Sequence, residues 1–329
     1  MKFGAVPTDD AQGCVLAHSI ALPEGRLRKG QVLGPADIAA LTRAGIGNVV
    51  VARLEQDDIP ENDAADALAQ GLVAGSTGLR MSHAFTGRVN LIARTAGVAV
   101  LDVPALHRVN SVDPMITVAT VPAHHQLRAG DMVATIKIIS YAVPQAALSC
   151  AVAQATGAVS LAGAAHETGT LIITEIKGGA GEKGRTAIED RLTALGVRLV
   201  DVVTVPHDEE ALQAAIKAAA TPLVLILTGS ATSDISDVAP SAVVRAGGRI
   251  TRFGMPVDPG NLLFLANIDA QIIIGLPGCA RAPALNGADW VLSRVVCGIP
   301  VTSADIAAMG VGGLLKEIPT RPQPRRPRH

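Results

Sequence analysis

Aromatic residues are scarce: four Phe, one Tyr and one Trp supply only 2% of 329 residues. Proteins that grip single-stranded nucleic acid stack bases on aromatic platforms, and six scattered rings cannot build one. An excess of one charge sign is also missing. Lys and Arg number 28 against 29 Asp and Glu, a formal charge of −1, so no global basic footprint exists for duplex binding. Cysteines are few and far apart (Cys14, Cys150, Cys279 and Cys297). With no CxxC pair and no metal-ligand spacing, they exclude a disulfide framework and fit a reducing cytosol. Long apolar runs are lacking too, although the mean hydropathy is +0.36. The longest uncharged stretch, Ile138 to Ala165, has Ala as its commonest residue and is interrupted by Pro144, Gln145, Gln154 and Gly157. A spanning helix needs ~20 predominantly apolar residues, usually Leu, Ile, Val or Phe. Met1 to Asp10 holds one Lys and no apolar run of signal length. The expectation is a soluble cytoplasmic chain with neither nucleic-acid nor membrane partners.

What the chain does have is aliphatic bulk: 49% of residues are apolar, enough for a sizeable core of Ala, Val, Leu and Ile. At ~100–200 residues per domain, the length suggests two or three domains. Residues 1–80 read as a small α/β unit. Pro35 suits a first helical turn, Gly45 a C-terminal cap, and Val49-Val50-Val51 a strand. Asn62 to Leu72 reads as a second helix and Gly71 to Gly78 as a flexible joint. Residues 81–166 read as β-rich, with short β-branched runs at 98–101, 116–119 and 132–136 and an Ala-rich helix over 144–157.

Residues 167–302 alternate strands and helices. Leu171–Thr174, Val197–Val205, Leu223–Leu227 and Ile272–Ile274 read as strands. Helical spacing follows at 188–195, 208–219, 238–246 and 282–296. Alternating βα units with continuous apolar strands predict a three-layer αβα domain with a mostly parallel sheet. Ligands of such sheets bind beyond the carboxyl ends of the strands, here the loops after Thr174, Leu227 and Ile274. Residues 303–329 read as an extension whose basic, Pro-rich end, Arg321 to His329, is disordered.

Several segments could carry chemistry. Gly179-Ala-Gly-Glu-Lys-Gly184-Arg185-Thr186 nearly matches GxxxxGK[ST], but Arg185 takes the Lys position, and a plain strand-to-helix connection competes with an anion-binding loop. His124-His125 lacks a third ligand at fixed spacing and reads as a turn. Thr86-Gly87-Arg88-Val89-Asn90 is an ordinary turn or a phosphate contact through Arg88 and Asn90. Gly310-Val-Gly312-Gly313 follows no convincing strand, which excludes a dinucleotide fingerprint. The most specific segment is Thr228-Gly229-Ser230-Ala231-Thr232-Ser233-Asp234-Ile235-Ser236-Asp237-Val238-Ala239-Pro240. It offers hydroxyls and backbone amides at a helix start, where an oxyanion is stabilised. Asp237 stands there as a helix cap or as a metal-binding or acid/base carboxylate.

This segment resembles TGGTGxxxRDVTP of the molybdopterin adenylyltransferases and GGxSxGDxD of the molybdopterin molybdotransferases. Met255 to Asn261 is similar to the MKPGKP loop of the molybdotransferases, and Gly275-Leu276-Pro277-Gly278-Cys279 to their GLPGNP loop. Pro206-His207-Asp208 resembles the Asp-bearing helix start of the same domain, and weaker likeness covers Gly13 to Val51. The whole chain also looks like stand-alone bacterial molybdopterin-binding proteins. Similar modules precede a nucleotidyltransferase domain in longer chains, and the basic tail ends where that domain would begin.

The resemblance implies a site for molybdopterin or the molybdenum cofactor built from Thr228, Gly229, Ser230, Thr232, Ser233, Pro259, Gly260, Pro277, Gly278 and Cys279. It implies active-site carboxylates at Asp208 and Asp237, with Asp237 holding Mg²⁺ where ATP is used. Departures point the other way. Ser230 and Thr232 replace glycines, Ser236 replaces the Arg before Asp237, Val257 and Asn261 replace lysines, and Cys279-Ala280 replaces Asn-Pro. Loss of these cations favours binding, handling or delivery of the cofactor over adenylyl transfer or molybdate insertion. A nicotinamide-nucleotide-processing relative of the competence-damage-type amidases is a further alternative. Cys279 reads as a soft ligand for the cofactor's metal centre or as a small buried thiol. Implied partners are molybdopterin and the molybdoenzymes or biosynthetic proteins that exchange it; homo-oligomerisation is left open.

Overall fold

The computed structural model describes residues 1–315; the expectation for Arg321 to His329 lies outside the described residues. The described chain forms two compact units.

The first comprises Met1–Thr95, Ala99–Ala123 and Ala129–Leu161. Its strands Lys2–Pro7, Asn48–Arg53 and Val15–Leu16 form a small antiparallel sheet. Val49 and Val51 meet Leu16, Leu33 and Leu41 in an aliphatic core. Leu41 comes from helix Pro35–Arg43, whose start is tied by the Gly34 amide donating to Asp37. Four further strands, Ile116–Thr120, Met132–Ile138, Arg88–Ala93 and Leu79–Met81, form an antiparallel sheet in that order. Helix Glu61–Leu72 packs beside helix Gln145–Ala155. Gly71 corrects one expectation. It lies inside the first of these helices, where an added Cβ would come within 3.2 Å of Val152, so its smallness serves helix packing rather than a joint.

The second unit comprises Ala96–Val98, His124–Arg128 and the chain from Ala162 onward. From Thr168 it runs β1 (Thr168–Glu175), α1 (Arg185–Thr193), β2 (Arg198–Pro206), α2 (Glu209–Ala218), β3 (Leu223–Leu227) and α3 (Val238–Arg245). It continues through β4 (Arg249–Phe253), β5 (Phe264–Ile268), β6 (Gln271–Leu276), α4 (Gly287–Val296) and α5 (Ser303–Ala308). The six strands form one sheet in the order β2-β1-β3-β6-β5-β4. β2, β1, β3 and β6 are parallel, and β5 and β4 each run antiparallel to their neighbour. The α/β, mostly parallel architecture expected from the sequence is therefore present.

Strand alternation sorts the core into two layers. Leu171, Ile173, Leu223, Leu225, Leu227 and Ile274 face α1 and α4, whereas Ile172, Val224, Ile226 and Ile273 face α2 and α3. All five residues of β3 are fully buried, each worth roughly 1.5–3 kcal/mol of burial. This continuous run pins β3 at the centre.

One helix boundary differs from expectation. The pattern predicted a helix from Ala282, but α4 begins at Gly287. Asn286 caps it, accepting from the Ala288 amide while its own amide donates to Asp289. Pro283 stands in the irregular segment ahead of that cap, and a capped start fixes the boundary. Among the described residues no helix is long and apolar enough to cross a membrane.

Candidate functional site

The sheet order creates a switch point. From β1 the chain crosses to β2 on one side and then returns, through α2, to β3 on the other. Connections leaving in opposite directions open a crevice beyond the carboxyl ends of β1 and β3. Three segments meet there: the loop after β1, the residues closing β2, and the loop Thr228 to Asp237.

A chain of side chains joins them. Thr174, fully buried near the end of β1, accepts from the Gly229 amide at 2.9 Å. Its Oγ1 lies 2.7 Å from His207 Nδ1, and His207 Nε2 lies 2.8 Å from Ser230 Oγ. The His207 amide donates to Glu175 O, which fixes the imidazole's backbone to β1. Gly229 must be glycine: a Cβ would come within 2.8 Å of Thr174 O. Inside the loop, Thr228 Oγ1 donates to Ser230 O at 2.6 Å and lies 3.3 Å from Thr232 Oγ1. Thr228 and Thr232 are buried, whereas Ser230 and Ser233 are exposed.

Asp237 and Asp208 both cap helices. Asp237 accepts from the Val238 and Ser233 amides, closing the loop onto α3. Asp208 accepts from the Ala211 amide at the start of α2. Capping accounts for the local geometry of both. Among the described residues no three His, Cys, Asp or Glu side chains form a group that could hold a metal ion. The residues present do not fit a protein-caged Mg²⁺.

The remaining predicted residues lie at the other strand ends. Pro277, Gly278 and Cys279 follow β6 and enter a 3-10 turn, Gly278–Arg281. Cys279 is half-buried, and burial pushes its thiol pKa up, away from the thiolate form. Pro259 and Gly260 pack elsewhere. Pro259 O accepts from the Gly287 amide, and a Cβ on Gly260 would lie 2.6 Å from that nitrogen. Their turn thus seats α4, and among the described residues no hydrogen bond links it to Thr228–Ser233. Val257, where the resembling loop carries a lysine, is fully buried in the core. The rings of this unit are also taken up by packing: Phe264 is core, Phe253 lies against its layer, and Trp290 lies against the layer on the other face of the sheet.

Two arginines escaped the sequence reading. Arg281 donates from Nη1 to Gly181 O and Lys183 O and from Nη2 to Thr228 O, latching the loop after β1 to the loop after β3. Arg191 donates to Asp289 at 2.6 Å and to the carbonyls of Ala187, Ala280, Ala282 and Ala284. It holds the turn after β6 against α1. Sequence offered little signal for either: Arg281 follows the Pro277-Gly278 turn, and Arg191 stands within a helix beside Asp190. Elsewhere, Gly184 caps α1 in a left-handed conformation, where an added Cβ would meet Arg281. Arg88 and Asn90 belong to a hairpin strand; the Gly87 amide of its turn donates to Asn62, and Asn90 Oδ1 accepts from Thr135.

Residues 168–295 match the family described as a probable molybdopterin binding domain, and residues 5–53 match a domain of unknown function. No curated protein matches the chain. Similar solved structures include the molybdopterin biosynthesis MoeA protein from Pyrococcus horikosii, at 13% identity and a TM-score of 0.29, over 93% of this chain and 75% of that one. The CinA protein with unknown function from Thermoplasma acidophilum gives 17% identity and a TM-score of 0.26, over 35% of this chain and 90% of that one. A molybdenum cofactor biosynthesis protein from Pyrococcus furiosus gives 12% and 0.24, over 93% of this chain and 65% of that one.

Proposed function

We propose that this chain binds molybdopterin or the molybdenum cofactor in the crevice between β1 and β3, and acts in the biosynthesis, handling or delivery of that cofactor. The family match over residues 168–295 carries the reading. The hydroxyl-rich loop at the switch point supports it, because amides and hydroxyls at a helix start suit a phosphate-bearing ligand. In this reading residues 167–302 are the ligand domain, and 1–80, 81–166 and 303–329 accompany it in a cytoplasmic protein. Thr228, Gly229, Ser230, Thr232 and Ser233 hold the ligand's phosphate side, with Pro277, Gly278 and Cys279 at the neighbouring strand end. Pro259 and Gly260 serve by seating α4.

The proposal favours a carrier over a nucleotide-dependent transferase. Asp208 and Asp237 already accept from backbone amides, and the positions of three expected cations hold Ser236, Val257 and Asn261. The cations that the resembling motifs would place against a transferring phosphate are then missing at those three positions. The test is molybdopterin binding with and without ATP and Mg²⁺, in the native protein and in Asp237→Asn. The expected result is an affinity that ATP and Mg²⁺ leave unchanged, with no AMP transfer. Adenylylation that Asp237→Asn abolishes would establish the transferase instead.

A further inference from the structure

The crevice contains a hydrogen-bond chain that fixes its own proton positions. Thr174 is fully buried, so its hydroxyl proton needs a protein acceptor. Among the described residues two groups hydrogen-bond its oxygen: the Gly229 amide, which only donates, and His207 Nδ1. The Thr174 proton therefore goes to Nδ1. A neutral imidazole carries one N–H, so that hydrogen sits on Nε2 and donates to Ser230 Oγ, 2.8 Å away. Ser230 receives a proton from behind and must turn its own outward, and Ser230 is exposed.

We propose that Ser230 is a specificity-determining donor that gives its hydroxyl hydrogen bond to an oxyanion of the bound ligand, with His207 and Thr174 as positioning residues. The inference rests on the reading of this crevice as the ligand site, and adds the donor atom and the side chains that fix its proton. The group recognised is a deprotonated tetrahedral oxyanion such as a phosphate monoester. The Ser230 and Ala231 amides donate to no protein acceptor among the described residues, so they join the same donor set. The carboxylates nearest in the loop are engaged. Asp237 accepts from two amides and Asp234 from the Ser236 amide.

The same proton positions exclude a second role. A nucleophilic serine needs a lone pair facing it on the histidine. Here Nε2 carries the hydrogen, and the lone pair on Nδ1 is used by Thr174. The Thr–His–Ser sequence of contacts therefore makes a donor relay, not a catalytic triad.

The test reads the His207 tautomer by ¹H–¹⁵N correlation of the imidazole in the ligand-free protein, and then titrates native and variant proteins with inorganic phosphate. The native protein is expected to show the Nε2–H tautomer. Thr174→Val, which removes the donor to Nδ1, shifts it toward Nδ1–H. Ser230→Ala keeps the tautomer and weakens phosphate binding about ten-fold. An Nδ1–H tautomer in the native protein, an unchanged tautomer in folded Thr174→Val, or phosphate binding that is absent or indifferent to Ser230→Ala overturns the proposal. Should Thr174→Val not fold, the native spectrum and the exposed-loop variant still decide. Molybdopterin plays no part in these readings. Phosphate held through Ser230 but not displaced by molybdopterin would support the donor relay and sink the molybdopterin reading alone.

Discussion

Gly275 has no room for a side chain. It pairs across the sheet with Phe264, and an added Cβ would lie 1.9 Å from the Phe264 ring. The glycine that opens the Gly275-Leu276-Pro277-Gly278 loop is thus a packing partner for the one fully buried ring of this sheet. Gly275→Ala is expected to destabilise the fold by at least about 2 kcal/mol, by overpacking, read as a lower urea midpoint with an unchanged slope. A midpoint equal to native would contradict this packing. Cys297 supplies a pH prediction. Burial pushes its thiol up to about 11. A raised folded pKa contributes stability that is complete below the unfolded value and is lost as pH rises through the folded one. The urea midpoint should therefore fall from pH 9 toward pH 11, and Cys297→Ala should flatten that fall. An equal slope in the variant would assign the loss to other groups. At this scale much of the candidate site was legible: Thr228, Ser230, Thr232 and Asp237 stand out as hydroxyls and a carboxylate between a buried strand and a helix. Thr174 and His207 do not, because they meet only when β1 and β2 pair, 33 positions apart.

Loops at the strand ends are held by a few long side chains. Arg281 is the clearest, since its guanidinium bonds carbonyls of two loops that share no backbone hydrogen bond with it. A planar fork with several donors suits that task, and neither Ala nor Lys reproduces it. Arg281→Ala is expected to free the loop after β1, raising tryptic cleavage after Lys183 about ten-fold. The cleavage rate after Arg43, in the other unit, should not change. Equal rates after Lys183 in both proteins would show that the loop is held otherwise. The elements were unevenly legible. β3 declared itself through five apolar residues, and α2 through its spaced Leu212, Ala215 and Ile216. The hairpin of β4 and β5 did not. Arg249, Thr251 and Arg252 make β4 polar, because it is an edge strand only partly buried. The start of α4 was misplaced for a similar reason: Ala282 and Ala284 suit a helix in isolation, and the cap at Asn286 decides otherwise.

Across the whole molecule, scarcity of rings has a consequence for binding. Phe253, Phe264 and Trp290 all pack within or against the core layers. A pterin held by this unit would be gripped by loop amides, hydroxyls and turns rather than by stacking. The fold divides into two compact units, and the second holds the alternating βα segment together with Ala96–Val98 and His124–Arg128. Its parallel order was legible because each buried strand is followed by an amphipathic helix, a pattern with few solutions. The rest of the chain has short strands whose pairing depends on distant partners, and composition alone could give only its β-rich character. The central claim is that this chain carries molybdopterin or the molybdenum cofactor, and mass spectrometry of the small molecule retained by natively expressed full-length protein tests it most directly. The account predicts molybdopterin or its molybdenum-bearing form, released when the protein is unfolded. A nicotinamide nucleotide in its place, or protein that neither retains molybdopterin nor takes it up when supplied, would contradict it.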